Sequence, residues 1–119
     1  MRPGVEVLED VSGLGEEVER NRVYDVRIRI CFSGGEPVRW NPLAGGRLED
    51  NGTTLFTTLR VDREQMIAGL FDGVEGMRIG GTRRIRVAPH LAYRETGVPG
   101  VIPPNALLII EVEIVAERT

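Results

Sequence analysis

The chain has 119 residues, 41% of them hydrophobic and 28% charged, with a formal net charge of -3; this fits one folded domain over residues 1–119 and excludes a disordered tail. Its single cysteine and single histidine exclude an internal disulfide, a thiolate metal cluster and a His-rich metal site. All 15 basic residues are arginine, so no lysine can form a Schiff base or serve a phosphate loop, and the acidic balance argues against a nucleic-acid partner.

In chain order, residues 5–9 predict a short edge strand, followed by a turn region at Gly13 and Gly15. Residues 24–32 alternate, with Val26, Ile28, Ile30 and Phe32 on one face and Asp25, Arg27, Arg29 and Cys31 on the other. A period of two is that of a strand with one buried face. Residues 36–52 read as a connection ending in the turn pair Asn51-Gly52, and the threonine-rich stretch 53–60 reads as a strand. Asp62 as N-cap with Gln65 at the third helical position predicts a capping box. Met66, Ile67, Leu70, Phe71 and Val74 then form one apolar helix face, which Gly73 and Gly76 end. Alternation returns over residues 83–87, with Ile85 and Val87 inward and Arg84 and Arg86 outward. It returns again over 106–116, with Leu108, Ile110, Val112 and Ile114 inward and Glu111 and Glu113 outward. The expected architecture is α+β: a twisted antiparallel sheet wrapped around one short helix.

The longest unbroken apolar run, residues 106–110, is far below the ~20 residues that span a bilayer, so no membrane association is expected. Acidic residues arrive early and no apolar signal core follows, so a cytoplasmic location is the default expectation. The glycines of 76–81 and of Gly13-Leu14-Gly15 lack the lysine or the spacing of a nucleotide loop. Arg27, Arg29, Arg84 and Arg86 read as a solvated sheet face balanced by Glu111 and Glu113. His90 reads as an exposed loop residue, and Cys31 as a small packing side chain.

The stretch between the last two strands is the most informative. It is long, holds four prolines among residues 89–104, and carries Tyr93, an aromatic with a polar tip, beside the apolar Val98, Val101 and Ile102. Such a loop suits a hydrophobic ligand with one hydrogen-bonding group. The run Gly76-Met77-Arg78-Ile79-Gly80-Gly81-Thr82-Arg83-Arg84, followed by Val87-Ala88-Pro89, Leu91-Ala92-Tyr93, Gly97-Val98-Pro99-Gly100-Val101-Ile102-Pro103-Pro104-Asn105 and Glu111-Val112-Glu113, resembles the FKBP-type peptidyl-prolyl cis-trans isomerases. Met66-Ile67-Ala68-Gly69-Leu70 resembles that family's helix entrance, and Arg39-Trp40-Asn41 resembles its segment after the first long strand.

The resemblance implies an isomerase acting on X-Pro bonds of peptides or unfolded proteins, in an apolar pocket between sheet and helix, with no metal and no organic cofactor. It implies that the Tyr93 hydroxyl reaches a substrate carbonyl and that the Ile67 backbone N–H donates to the ligand. Met66 and Leu70 would line the pocket, Trp40 and Phe56 would form aromatic walls, and Val98 and Ile102 would contact the substrate from the loop. Several positions depart from the family pattern. Asn41 replaces an aspartate, Leu70 a tryptophan, Ile110 an aromatic, Ile28 a tyrosine and Arg94 a glycine. The pocket should therefore be more aliphatic than is usual, which bears more on macrolide binding than on isomerase activity. The alternative reading is a non-catalytic module of the same fold that binds proline peptides or a protein through an altered pocket.

Overall fold

The computed structural model describes residues 3–40 and 45–118. In chain order it contains β1 (Val5–Val11), β2 (Val23–Phe32), β3 (Arg47–Glu49), β4 (Thr54–Arg60), α1 (Ala68–Gly73), β5 (Thr82–Val87) and β6 (Leu108–Arg118). The six strands form one sheet in the order β1-β5-β6-β2-β4-β3, and every neighbouring pair is antiparallel. The expected α+β architecture is what forms.

Strand parity places the core. In β6 the side chains of Leu108, Ile110, Val112 and Ile114 are fully buried, and in β2 those of Val26, Ile28 and Ile30 join them. Register pairs Ile28 with Val112 and Ile30 with Ile110, so the two strands present one continuous apolar face. Ile85 and Val87 of β5 extend that face toward β1, and Leu70 of α1 and Val74 just after it cover it. The β2–β6 register slips between Asp25 and Val26, which lets both Tyr24 and Asp25 be buried although they are neighbours. The Tyr24 hydroxyl accepts from the Glu19 amide at 2.9 Å. Asp25 accepts from Thr58 at 2.7 Å and from the Arg118 Nε at 3.0 Å.

The helix is shorter than its apolar spacing suggests. It begins after Ile67, whose backbone is extended (φ -59, ψ 153), so Asp62 caps a separate turn rather than α1. Two glycines let α1 lie close on β5. A Cβ on Gly69 would collide with Val87 Cγ1, and one on Gly73 with Ile85 Cδ1. Gly73 therefore serves packing rather than helix termination, whereas Gly76, at φ +84, makes the turn that follows. Arg83, inward-facing on β5 and buried, closes the end of the helix: its Nη1 donates to the carbonyls of Gly73 (2.8 Å) and Glu75 (2.6 Å). Its Nε and Nη2 fork onto Asp10 of β1 at 3.2 and 3.3 Å. One side chain thus ties α1, β5 and β1 together.

The region 36–52, read as a plain connection, contains the three-residue strand β3, paired to β4 across the Asn51-Gly52 turn. Asn51 and Gly52 both have positive φ there. The outer face of the sheet is charged and largely self-neutralised. Arg27 meets Glu49 (2.9 Å) and Glu113 (3.2 Å), Arg84 meets Glu9, and Arg86 meets Glu6 (2.6 Å). These partners are mostly on β1 and β3 rather than Glu111. Among the described residues no helix is long and apolar enough to cross a membrane.

Candidate active site

A cavity of about 420 Å³ opens on the apolar face of the sheet, beside α1. Ile28 and Ile30 of β2 and Ile110 of β6 contribute one wall, Leu55, Thr57, Thr58 and Leu59 of β4 another. Gln65, Met66 and Ile67 form its rim on the helix side, Leu70 of α1 lies behind them, and Trp40, Gly45 and Tyr93 complete the lining. Side chains at alternate positions of β2 and β6 must face the same way, so the same parity that builds the core also builds this wall.

The turn that carries Ile67 is held by Asp62. Its Oδ1 accepts from the amides of Glu64 (3.0 Å) and Gln65 (2.9 Å), and its main-chain carbonyl accepts from Met66 at 3.1 Å. Its Oδ2 meets the Arg60 guanidinium, and that contact, with the two amides, holds the Asp62 carboxyl below the usual carboxylate range. The Gln65 side chain reaches back and accepts from the Arg60 amide at 2.6 Å. The chain then turns extended at Ile67 before α1 starts. This leaves the Ile67 N–H, beside the cavity, with no acceptor among the described residues.

Tyr93 sits on the loop between β5 and β6. Turns closed by Ala92 N–H and Arg94 N–H onto the Pro89 carbonyl (3.0 and 2.9 Å), and by Gly97 N–H onto the Tyr93 carbonyl (2.9 Å), hold its backbone. Arg94 follows in the left-handed region at φ +54, a conformation that costs a non-glycine residue on the order of 1 kcal/mol. The Tyr93 phenol lines the cavity and has no hydrogen-bond partner among the described residues. Burial pushes its pKa up, so the hydroxyl keeps its proton. Trp40, anchored by its amide on the Gly52 carbonyl at 2.8 Å, lines the cavity while its buried Nε1 finds no partner among the described residues. Among the described residues no cluster of His, Cys, Asp or Glu could hold a metal ion.

Of the residues singled out from sequence, Tyr93, Ile67, Met66, Leu70, Trp40, Ile28 and Ile110 come together around this cavity. Asn41 lies outside the described residues. Phe56 does not line the cavity: its parity in β4 turns it to the outer face, where the guanidiniums of Arg27 and Arg47 stack on its ring at 5.2 and 4.7 Å. Its neighbour Leu55 points inward instead. Val98 and Ile102 also stand off the cavity. They pair with each other, amide to carbonyl at 2.8 Å in both directions, and so shape the loop from within. Ile30, Leu55, Leu59, Thr57, Thr58 and Gln65 were not anticipated. For Ile30 the signal was its position two residues after Ile28, and for Leu55 and Leu59 it was their shared parity.

Residues 44–115 match the family model for FKBP-type peptidyl-prolyl cis-trans isomerase, which is more than half of the chain. The chain belongs to this family. It is 32% identical over 120 residues to the 39 kDa FK506-binding nuclear protein of Drosophila melanogaster, covering 95% of this chain and 29% of that protein. It is 49% identical over 64 residues to the peptidyl-prolyl cis-trans isomerase FPR2 of Saccharomyces cerevisiae, covering 54% of this chain and 46% of that protein. The chain thus spans less than two thirds of these curated relatives. Among solved structures, FkpA from Escherichia coli superimposes with a TM-score of 0.68 at 27% identity, over 96% of this chain and 47% of that one. Ile28, Leu70 and Ile110 make this part of the pocket wall aliphatic, and among the described lining residues Trp40 and Tyr93 are the aromatic ones.

Proposed function

We propose that this FKBP-family chain accelerates cis–trans isomerisation of X-Pro bonds in peptides or unfolded proteins, working as a single domain over residues 1–119. One observation carries the reading: a mostly apolar cavity sized for a proline ring and its neighbour, lined by residues with hydrogen-bond donors that no described residue satisfies, among them the Tyr93 hydroxyl and the Ile67 N–H.

The chemistry required is modest. The X-Pro amide rotates over a barrier of ~18–20 kcal/mol set by resonance across its C–N bond, and no bond to be broken means no nucleophile or cofactor is needed. The planar amide is charge-separated and loses hydration in an apolar cavity. The twisted transition state has less charge separation and is penalised less there. Donors fixed at the cavity border hold flanking carbonyls while the bond turns, and they are oriented before substrate arrives. About 5–6 kcal/mol of such stabilisation corresponds to roughly four orders of magnitude in rate. A cytoplasmic setting accompanies this reading, and the free thiol of Cys31 is compatible with a reducing compartment.

Replacing Ile67 with Trp fills the cavity and is expected to nearly abolish catalysis of a proline-limited refolding reaction. Tyr93→Phe, which removes one neutral donor and leaves the ring, is expected to lower it only several-fold. An unchanged rate in folded Ile67→Trp would place the site elsewhere. A second reading, a non-catalytic proline-peptide or protein-binding module, draws on Ile28 and Ile110, whose aliphatic side chains leave the cavity wall without polar groups at those positions. Saturable binding of a proline peptide with no change in its exchange rate would favour it.

A further inference from the structure

Gln65 contributes to the cavity border yet has no place in the reading above. Its carboxamide is not free to flip. The Arg60 N–H is a donor, 2.6 Å from Oε1, so the oxygen must face β4 and the amino group must face away from it. That Nε2 amino group, with two N–H donors, has no acceptor among the described residues. The backbone beneath it is equally constrained, because the Gln65 amide is bound to Asp62 Oδ1 at 2.9 Å. A side chain that is exposed but tethered at both its amide and its tip has already lost much of its rotamer freedom, so its donors are oriented before a ligand arrives.

Resting on the isomerase reading of the same cavity, we infer that the Gln65 Nε2 amino group is a further positioned donor, taking a peptide carbonyl that flanks the X-Pro bond. Only Met66 separates it from Ile67 in the chain, so both donors come from one short stretch, with Tyr93 contributed by the loop between β5 and β6. The cavity walls are mostly aliphatic, and the hydroxyls of Thr57 and Thr58 are already donated, to the Gly45 carbonyl and to Asp25. Recognition of the flanking backbone therefore falls to these border groups, and Gln65 extends it beyond the X-Pro unit itself. It is a positioning and specificity residue, since the rotating bond does not need it.

Gln65→Glu separates its two duties, because a carboxylate still accepts from the Arg60 N–H but has nothing to donate. Trp40, the one tryptophan of the chain and a cavity residue, reports binding by fluorescence. Three ligands are compared: a blocked Ala-Leu-Pro-Phe peptide, an analogue lacking the carbonyl before the leucine, and one lacking the carbonyl after the proline ring. Gln65→Glu should bind the full peptide about three- to tenfold more weakly, with unchanged thermal stability, and should match the unaltered protein on one of the two analogues. Equal affinities for the full peptide, or the same loss on all three ligands, would overturn the inference while leaving the isomerase reading standing. If the unaltered protein binds none of the three, both fall.

Discussion

Asp62 condenses into one carboxylate much of what positions the site. It accepts from the amides of Glu64 and Gln65 and pairs with Arg60, and the turn it holds delivers Ile67 to the cavity. Its carboxyl is depressed first by Arg60 and then by the Gln65 amide. That of Asp25 is depressed chiefly by the Thr58 hydroxyl, with Arg118 adding to it. A carboxylate whose native pKa lies below its unfolded one contributes stability that is fully present above the unfolded value, about 3.9 for aspartate, and is lost as pH falls through the native value. The denaturant midpoint should therefore fall as pH drops below about 4, and Asp62→Asn should flatten part of that acid limb. An acid limb unchanged in Asp62→Asn would mean the turn draws nothing from the charge. At this scale the sequence was legible where a residue's parity was used and misleading where its type was. Phe56 attracted attention as an aromatic, but alternation in β4 gives the cavity Leu55 and leaves Phe56 between two guanidiniums on the outer face. Gln65 was legible as a capping residue. Its side chain does reach back to a main-chain amide, that of Arg60 instead of Asp62.

Among the elements, α1 is positioned by absence of side chain. Gly69 and Gly73, four residues apart, turn one bare stripe toward Val87 and Ile85 of β5. Gly69 is the more demanding of the two, because a Cβ there would meet a β-branched Val87 side chain and approach the Leu91 carbonyl at 3.1 Å, whereas Ile85 offers only the far end of its side chain. Gly69→Ala is expected to cost about 1–3 kcal/mol despite alanine's better helix propensity, and urea unfolding reads this directly. A stabilised variant would show that the helix can lift off the sheet freely. Alternation located β2, β5 and β6 within two residues at their ends, while β4 was legible from its threonines and β1 only as a short edge strand. The helix start was not. Apolar spacing of 3 and 4 continues backward from Leu70 through Ile67 and Met66, but these two side chains reach the cavity from an extended residue and a turn. Strand β3 was invisible because three residues bearing Arg47 and Glu49 carry no alternation of their own. It exists by pairing with β4.

For the whole molecule, the sheet order explains why one cavity collects residues so far apart in sequence. Strands β6 and β2 are central, so Ile30 and Ile110 sit side by side with Ile28 two residues along the same face. The β5–β6 loop carries Tyr93, and the connection after β2 carries Trp40 to the same opening. Motif order in the second half of the chain made this legible before any coordinates, because loop glycines and prolines constrain backbone there and must recur in place. The first half, where the cavity wall is built from interchangeable aliphatic residues, was legible mainly by layout. The central claim is that this cavity turns X-Pro bonds, and NMR exchange spectroscopy on a short Ala-Leu-Pro-type peptide tests it most directly. The account predicts that cis–trans exchange, otherwise a matter of tens to hundreds of seconds, becomes fast at substoichiometric protein. Exchange that stays at its uncatalysed rate, with the protein folded, would contradict it.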